Sequence, residues 1–134
     1  MKLSNHHLTK GEAARLEMLK EGMSRISGGT MMYPESLNPY HIESDVFTHT
    51  MMVCKQAENA SYEVRIAALL HDIGKPSTRK VNPKNGRVSF FNHDAVSAFM
   101  ALEIMNHLYL ELTDDQKSHI FNLIALHTQI YKLT

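Results

Sequence analysis

Apolar residues recur at intervals of three and four positions in five separate segments of this 134-residue chain. In the first segment Leu16, Leu19 and Met23 fall on one face of a helix, and Gly28 lies just past the end of the pattern. Such spacing is typical of α-helices that bury one face, and it predicts a mostly helical protein. No apolar run approaches the ~18 residues that a membrane-spanning helix needs, so we expect no membrane partner.

Loops rich in proline, glycine and asparagine separate the predicted helices. Ser61 is typical of a helix N-cap, and Thr113 with Gln116 of a capping box. Asn85-Gly86 favours a tight turn. We therefore expect an all-α fold, a compact bundle of about five helices with a short hairpin or loop between helices three and four. The helices are predicted over residues 9–26, 45–59, 61–72, 92–109 and 113 to the end, and the hairpin or loop over residues 76–91.

Length and composition narrow the class of protein. A chain of this length fits one domain, predicted over residues 1–134. Fourteen basic residues balance fourteen acidic ones, which excludes a generally basic nucleic-acid coat. Cys54 is the one cysteine, which excludes a disulfide scaffold and a cysteine-rich zinc site. A lone thiol and an N-terminus without an apolar signal sequence favour a cytoplasmic protein.

Histidine is the unusual residue here, with nine copies. Four of them, with one aspartate, fall at inward or terminal positions of four predicted helices: His49, His71-Asp72, His93 and His127. A single histidine on an apolar face is usually a hydrogen-bonded core residue, but several unpaired buried imidazoles would each cost ~1–3 kcal/mol. A divalent ion of Mn, Ni, Co, Fe or Zn would satisfy them together. His41 could approach this site, His119 would lie at its edge, and His6, His7 and His107 are predicted at the surface.

The predicted hairpin is basic. Five cationic residues and no acidic residue lie between Asp72 and Asp94, and they are Lys75, Arg79, Lys80, Lys84 and Arg87. Arginine favours bidentate contacts with phosphate, so Arg79 and Arg87 are candidate substrate-binding residues. A solvated loop explains the same charges equally well. Phe90 and Phe91 could stack on a base, although such residues more often belong to a core.

Three motifs resemble those of the HD-domain metal-dependent phosphohydrolase superfamily. They are Ala-Ala-Leu-Leu-His-Asp-Ile-Gly-Lys-Pro at residues 67–76, Asp-Val-Phe-Thr-His at residues 45–49, and Phe-Phe-Asn-His-Asp-Ala-Val-Ser at residues 90–97. Within the superfamily they are most similar to the HD domains attached to bacterial CCA-adding tRNA nucleotidyltransferases. The resemblance covers about residues 40–131.

The resemblance implies a ligand set and an activity. His49, His71 and Asp72 would bind one metal ion, and Asp72 would bridge to a second ion held by His93 and His127. The implied reaction is hydrolysis of a phosphomonoester or phosphodiester of a nucleotide or an RNA end by a metal-activated water. Asp72 is the candidate both to bind metal and to accept a proton. Lys75 would be catalytic and substrate-binding, because its charge can offset that of the phosphate in the transition state.

One position departs from the family pattern. Relatives often carry an aspartate directly after the last histidine, and here Thr128 follows His127. Four explanations are open. The ligand set is incomplete, a water takes the position of the missing aspartate, His127 has another role, or the chain is a fragment. Two further functions stay open: a catalytically degenerate domain that binds metal, nucleotide or a protein partner, and a di-iron oxygenase whose basic segment binds an organic anion. The oligomeric state and the exact substrate are left open.

Overall fold

A computed structural model describes residues 7–26, 46–108 and 110–127, with side chains described throughout except at residues 23–26. Six helices and one two-stranded hairpin follow one another along these residues. In chain order they are α1 (Lys10–Ile26), α2 (Val46–Gln56), α3 (Tyr62–Leu70), α4 (Lys75–Thr78), β1 (Arg79–Val81), β2 (Val88–Phe90), α5 (His93–His107) and α6 (Asp114–Ala125).

Side-chain caps begin three of these helices, as polar residues at helix starts should. The Ser61 hydroxyl accepts a hydrogen bond from the Val64 backbone N–H and caps α3. Thr113 and Gln116 exchange hydrogen bonds at the start of α6, which confirms the predicted capping box. Thr9 and Glu12 form the same reciprocal pair before α1.

Helix α3 lies at the centre of the molecule and contacts α1, α2, α5 and α6. Its residues from Ile66 to Leu70 are all buried. A single helical stripe through Ala67 and His71 would also include Val64, but Val64 is only half-buried. A helix with neighbours on every side buries more than one stripe, so helical periodicity alone understates its buried surface.

The basic segment forms an antiparallel hairpin, as predicted. Arg79 pairs with Phe90 and Val81 with Val88. Gly86 adopts a left-handed conformation (φ 70°) that side chains rarely tolerate, and its N–H donates to the Asn82 carbonyl at 2.8 Å. The turn therefore depends on the Asn85-Gly86 sequence, while the strands are only three residues long.

The third helix ends earlier than the sequence predicted. It stops at Leu70 rather than at Asp72, and residues 71–74 form turns that lead into the one-turn helix α4. Pro76 lies in the first turn of α4, where its missing N–H costs nothing. His71 and Asp72 therefore lie on a turn between two helices.

The expected all-α class is confirmed, since the described residues contain five helices of nine residues or more and one very small sheet. Helix α2 ends three residues before the predicted boundary at Asn59, and α5 ends at His107. Asp45, Tyr109 and residues 128–134, which the predicted helices included, lie outside the described residues. Within the part of the chain that the structure describes, no helix is long and apolar enough to cross a membrane.

Candidate metal centre

The carboxylate of Asp72 lies at the centre of the predicted site. Its residue is only 1% exposed to solvent. A buried carboxylate needs compensating partners, because removing its charge from water is costly. Four imidazoles from four parts of the fold supply the surroundings: His49 on α2, His71 on the turn after α3, His93 at the start of α5, and His127 just after α6.

Each imidazole directs its Nε2 atom at one oxygen of Asp72. His49 and His71 face Oδ2 at 3.4 and 3.0 Å. His93 and His127 face Oδ1 at 3.2 and 3.3 Å. The structure thus brings together all five predicted metal ligands and divides them between the two carboxylate oxygens.

Backbone carbonyls orient three of these rings. Nδ1 of His71 lies 2.6 Å from the Ala68 carbonyl oxygen, and Nδ1 of His93 lies 3.1 Å from that of Phe90. Nδ1 of His127 donates in the same way to Ile124. When a neutral ring carries its proton on Nδ1, Nε2 presents its lone pair to the centre, which is the orientation that a metal ligand requires.

In this neutral tautomer the Nε2 lone pairs of His93 and His127 converge on Asp72 Oδ1. Nε2 of His93 and Nε2 of His127 lie 3.2 Å apart, which is a repulsive distance for two unprotonated nitrogens. Asp72 Oδ1 is buried between them and accepts no hydrogen bond from the described residues. A cation at this position would satisfy all three atoms, so the residues fit a divalent metal.

The pKa values of Asp72 and His127 are both shifted by the groups around them. Burial raises the pKa of Asp72, but the imidazoles of His127, His71 and His93 outweigh burial and hold it far below its ordinary value. Burial lowers the pKa of His127, but the Asp72 carboxylate and the Ile124 carbonyl outweigh it and raise this pKa. Protonation of His127 and metal binding at this position therefore compete with each other.

Two overlapping groups of residues could hold metal ions. The first ligand group is His49, His71 and Asp72, and the second is Asp72, His93 and His127. Within each group the ligand atoms lie within 4.8 Å of one another. Since each Asp72 oxygen faces a different group, one carboxylate can serve both.

Lys75 lies beside the centre on α4. Its Nζ is 3.4 Å from Asp72 Oδ2 and 5.2 Å from the centre of the Phe90 ring. The side chain is only 12% exposed, so its charge acts close to the carboxylate with little screening. This is the position from which an ammonium group can reach a phosphate held at the centre.

The two candidate arginines lie at different distances from the centre. Arg79 pairs with Phe90 at the near end of the hairpin and is half-buried. Arg87 is exposed beyond Val88, about 10 Å further along the strand. Phe90 is half-buried against Lys75, whereas Phe91 is 79% exposed, so the expectation that both phenylalanines belong to the core is wrong for Phe91.

The remaining histidines that the structure describes, His7, His107 and His119, are not brought to the centre. His7 and His107 are exposed, as predicted, and His119 pairs with Glu63 at 3.3 Å on the surface. His6, His41 and Thr128 lie outside the described residues. Ser97, whose hydroxyl accepts a hydrogen bond from the Gly74 backbone beside the centre, was not singled out from the sequence. Its partner is 23 residues away, and no local pattern indicates such a pairing.

Comparison with known protein families decides the classification. The HD domain family model matches residues 46–133, which include the hairpin and all five candidate ligands. The chain belongs to the HD domain family. This membership confirms the resemblance seen in the three sequence motifs.

Two curated proteins are similar to this chain in sequence. The chain is 34% identical over 107 residues to an A-adding tRNA nucleotidyltransferase of Deinococcus radiodurans, with 77% of the chain and 22% of the relative aligned. It is 50% identical over 42 residues to a CC-adding tRNA nucleotidyltransferase of Thermus thermophilus, with 31% of the chain and 10% of the relative aligned. The chain thus spans about a fifth of the length of the Deinococcus relative and about a tenth of the Thermus relative. No solved structure matches the chain significantly.

Proposed function

We propose that this HD domain is a metal-dependent phosphohydrolase that cleaves a phosphomonoester or phosphodiester of a nucleotide or an RNA end. HD domains belong to a superfamily of metal-dependent phosphohydrolases. The observation that carries the proposal is the buried Asp72 carboxylate, with an ammonium group beside Oδ2 and an unpartnered oxygen at Oδ1.

The proposed cofactor is one or two divalent transition-metal ions held by the two ligand groups. When bound, such ions lower the pKa of water from ~15.7 toward ~7 and polarise a phosphoryl oxygen. The chain's own contribution is to present the Nε2 lone pairs of its histidines and to exclude solvent from the Asp72 carboxylate. Burial strengthens the attraction between that carboxylate and a cation, since little water screens it.

Asp72 suits the role of ligand better than that of general base. An efficient base has a pKa near the working pH. The imidazoles around Asp72 keep its pKa far below that range, so the carboxylate takes up a proton only weakly near pH 7. Of the two roles expected for Asp72, the arrangement therefore favours metal binding.

The proposed substrate is anionic because the approach to the centre is basic. Lys75 would lie against the phosphate that is cleaved, and Arg79 would contact a neighbouring phosphate or the same one from the hairpin side. Arg87, Lys80 and Lys84 are exposed further out and would attract a polyanion from a distance. The relatives act on tRNA, as their names state, which favours a nucleotide or an RNA end as the substrate.

The test is hydrolysis by the full chain loaded in turn with Mn²⁺, Ni²⁺, Co²⁺ and Zn²⁺. Substrates would be a generic phosphomonoester, a generic phosphodiester, mononucleotides, 2′,3′-cyclic nucleotides and short RNA with a terminal phosphate. Asp72→Asn removes the central charge with almost no change in shape. Asp115→Asn is the matched control, because that carboxylate is exposed in the first turn of α6.

We expect turnover that needs metal, disappears in Asp72→Asn and persists in Asp115→Asn. If no phosphoester is hydrolysed although metal is bound, the proposal is wrong and the domain is a binding module. Oxygen consumption by the iron-loaded protein would instead identify an oxygenase.

A further inference from the structure

Gly74 lies closer to α5 than a residue with a side chain could. Its backbone N–H donates to the Ser97 hydroxyl at 2.8 Å, and Ser97 is completely buried. A Cβ atom at Gly74 would lie 2.7 Å from the Ser97 backbone nitrogen and 3.0 Å from the His93 carbonyl oxygen. The backbone φ of Gly74 is −84°, so glycine is needed here for space and not for its conformation.

The peptide groups around Gly74 are also fixed from the side of α4. The hydroxyls of Ser77 and Thr78 donate to the Gly74 carbonyl at 3.1 and 2.9 Å. The Lys75 N–H donates to the Asp72 carbonyl at 3.0 Å. The turn that carries Asp72 is therefore held at both its N–H and its C=O groups, and Ser97 supplies the hydrogen bond from α5.

This contact joins the two segments that carry Asp72 and His93 of the second ligand group. Gly74 follows Asp72 by two residues, and Ser97 follows His93 by one helical turn on α5. We propose that Ser97 is a positioning residue that sets where His93 lies relative to Asp72 and so determines the metal affinity of the second ligand group. The inference rests on the metal centre of the proposed function and is independent of the substrate.

The first ligand group does not depend on this contact. His71 and Asp72 are adjacent on the same turn, and His49 lies on α2, which packs against α3. Helix α5 contributes no residue to that group. Loss of the Ser97 hydroxyl should therefore weaken one group and leave the other unchanged.

The test is a calorimetric titration of Co²⁺ into the metal-free full chain, with Ser97→Ala compared with the unmodified protein. We expect two equivalents of Co²⁺ in both proteins, with one of them bound about 10-fold or more weakly in Ser97→Ala, as is typical when a group that orients a ligand is lost. Ser97→Cys fills the same space with a weaker acceptor and should show a smaller loss at the same group.

Two further variants identify which group is affected. His127→Gln disables the second ligand group, and His49→Gln disables the first. Adding Ser97→Ala to His127→Gln should change Co²⁺ affinity no further, whereas adding it to His49→Gln should reproduce the full loss. Ser61→Ala is the control for general destabilisation, because it removes the α3 cap hydroxyl away from the centre. It should lower Tm without altering Co²⁺ affinity.

Three results would overturn the inference. They are an equal loss of Co²⁺ affinity at both ligand groups, no loss in a folded Ser97→Ala or Ser97→Cys protein, and binding of a single equivalent of Co²⁺ by the unmodified protein. Failure of this inference is distinguishable from failure of the proposed function. Every readout here is metal binding, whereas the proposed function is tested by hydrolysis. A protein that binds two equivalents selectively but hydrolyses nothing would refute the proposed function alone.

Discussion

The metal centre and the basic hairpin are adjacent in the fold but are built in different ways. At the centre, ligands from four parts of the chain surround one buried carboxylate, and three rings are fixed by backbone carbonyls. In the hairpin, the cationic side chains lie on the three-residue strand β1 and in the turn before β2, and asparagine hydrogen bonds stabilise that turn.

This difference predicts how each region responds to change. A buried carboxylate depends on every group that surrounds it, so single substitutions at the centre should have large effects. Exposed charges are screened and partly redundant, so single substitutions in the hairpin should have small effects that depend on salt. Four predictions test the comparison, from the largest effect to the smallest.

Removing the central carboxylate should have the largest effect. Asp72→Asn takes the anionic ligand from both groups, so we expect metal to be lost and hydrolysis to fall by about 10³-fold or more, which is the loss of ~4 kcal/mol of transition-state stabilisation. Rates at saturating Co²⁺ and elemental analysis of the same sample would check it. A variant that keeps its metal and most of its rate would show that Asp72 is not the shared ligand.

Two glycines compare the packing of the two regions. Gly74→Ala forces a Cβ against the α5 backbone and should lower the free energy of unfolding by about 2–3 kcal/mol, as overpacking does. Gly86→Ala requires alanine to adopt the left-handed conformation of the hairpin turn and should lower the free energy of unfolding by ~1 kcal/mol. Urea unfolding of both metal-free variants measures these costs.

Co²⁺ affinity supplies the second part of that comparison. It should fall in Gly74→Ala and stay unchanged in Gly86→Ala. Equal effects of the two substitutions on stability and on metal affinity would remove the distinction between the regions.

The pH dependence should have opposite signs for metal affinity and for the stability of the metal-free protein. The pKa of His127 is raised in the fold, so its contribution to stability is present below the unfolded value of ~6.5 and is lost as pH rises through the folded pKa. Metal must displace that proton, so Co²⁺ affinity should fall about tenfold per pH unit below the folded pKa.

Thermal unfolding in chelator and Co²⁺ titration, both across pH 6–8, would check these two trends. Asp72 adds no trend in this window, because its pKa is lowered and its stabilising effect is lost only as pH falls below the ordinary range of carboxyl groups. If Co²⁺ affinity and the stability of the metal-free protein change in the same direction with pH, the account of His127 is contradicted.

Single hairpin charges should have the smallest effect. Arg79→Gln should raise KM about two- to fivefold, equivalent to ~0.5–1 kcal/mol for a partly screened charge contact, and should leave kcat unchanged. Arg87→Gln, further from the centre, should raise KM less, and both effects should shrink as salt increases. A large fall in kcat for Arg87→Gln would show that the hairpin takes part in catalysis. It would contradict the proposed difference between the metal centre and the hairpin.

Much of the fold could be predicted because it depends on local sequence. The Ser61 cap, the Thr113–Gln116 capping box and the Asn85-Gly86 turn involve residues close in the chain, and the structure confirms all three. The end of α3 could not be predicted in the same way. Residues 71–74 form turns in which Gly74 packs against α5, and helical periodicity does not contain such a long-range contact.

The candidate site was predictable as a set of residue types but not as an arrangement. Histidines at inward helical positions indicated metal chemistry, and the structure brings those residues together. Three-dimensional packing alone determines which oxygen of Asp72 faces which pair of histidines, and it alone places Ser97 against Gly74. The exposure of Phe91 beside the half-buried Phe90 is likewise set by where β2 ends.

The metal content of the full chain tests the central claim most directly. After removal of bound metal and equilibration with Co²⁺, elemental analysis should find two equivalents per chain in the unmodified protein and in Asp115→Asn. Asp72→Asn should hold none at the same free Co²⁺ concentration. If the unmodified protein binds no metal, or if Asp72→Asn binds as much as it does, the Asp72 cluster is not a metal centre.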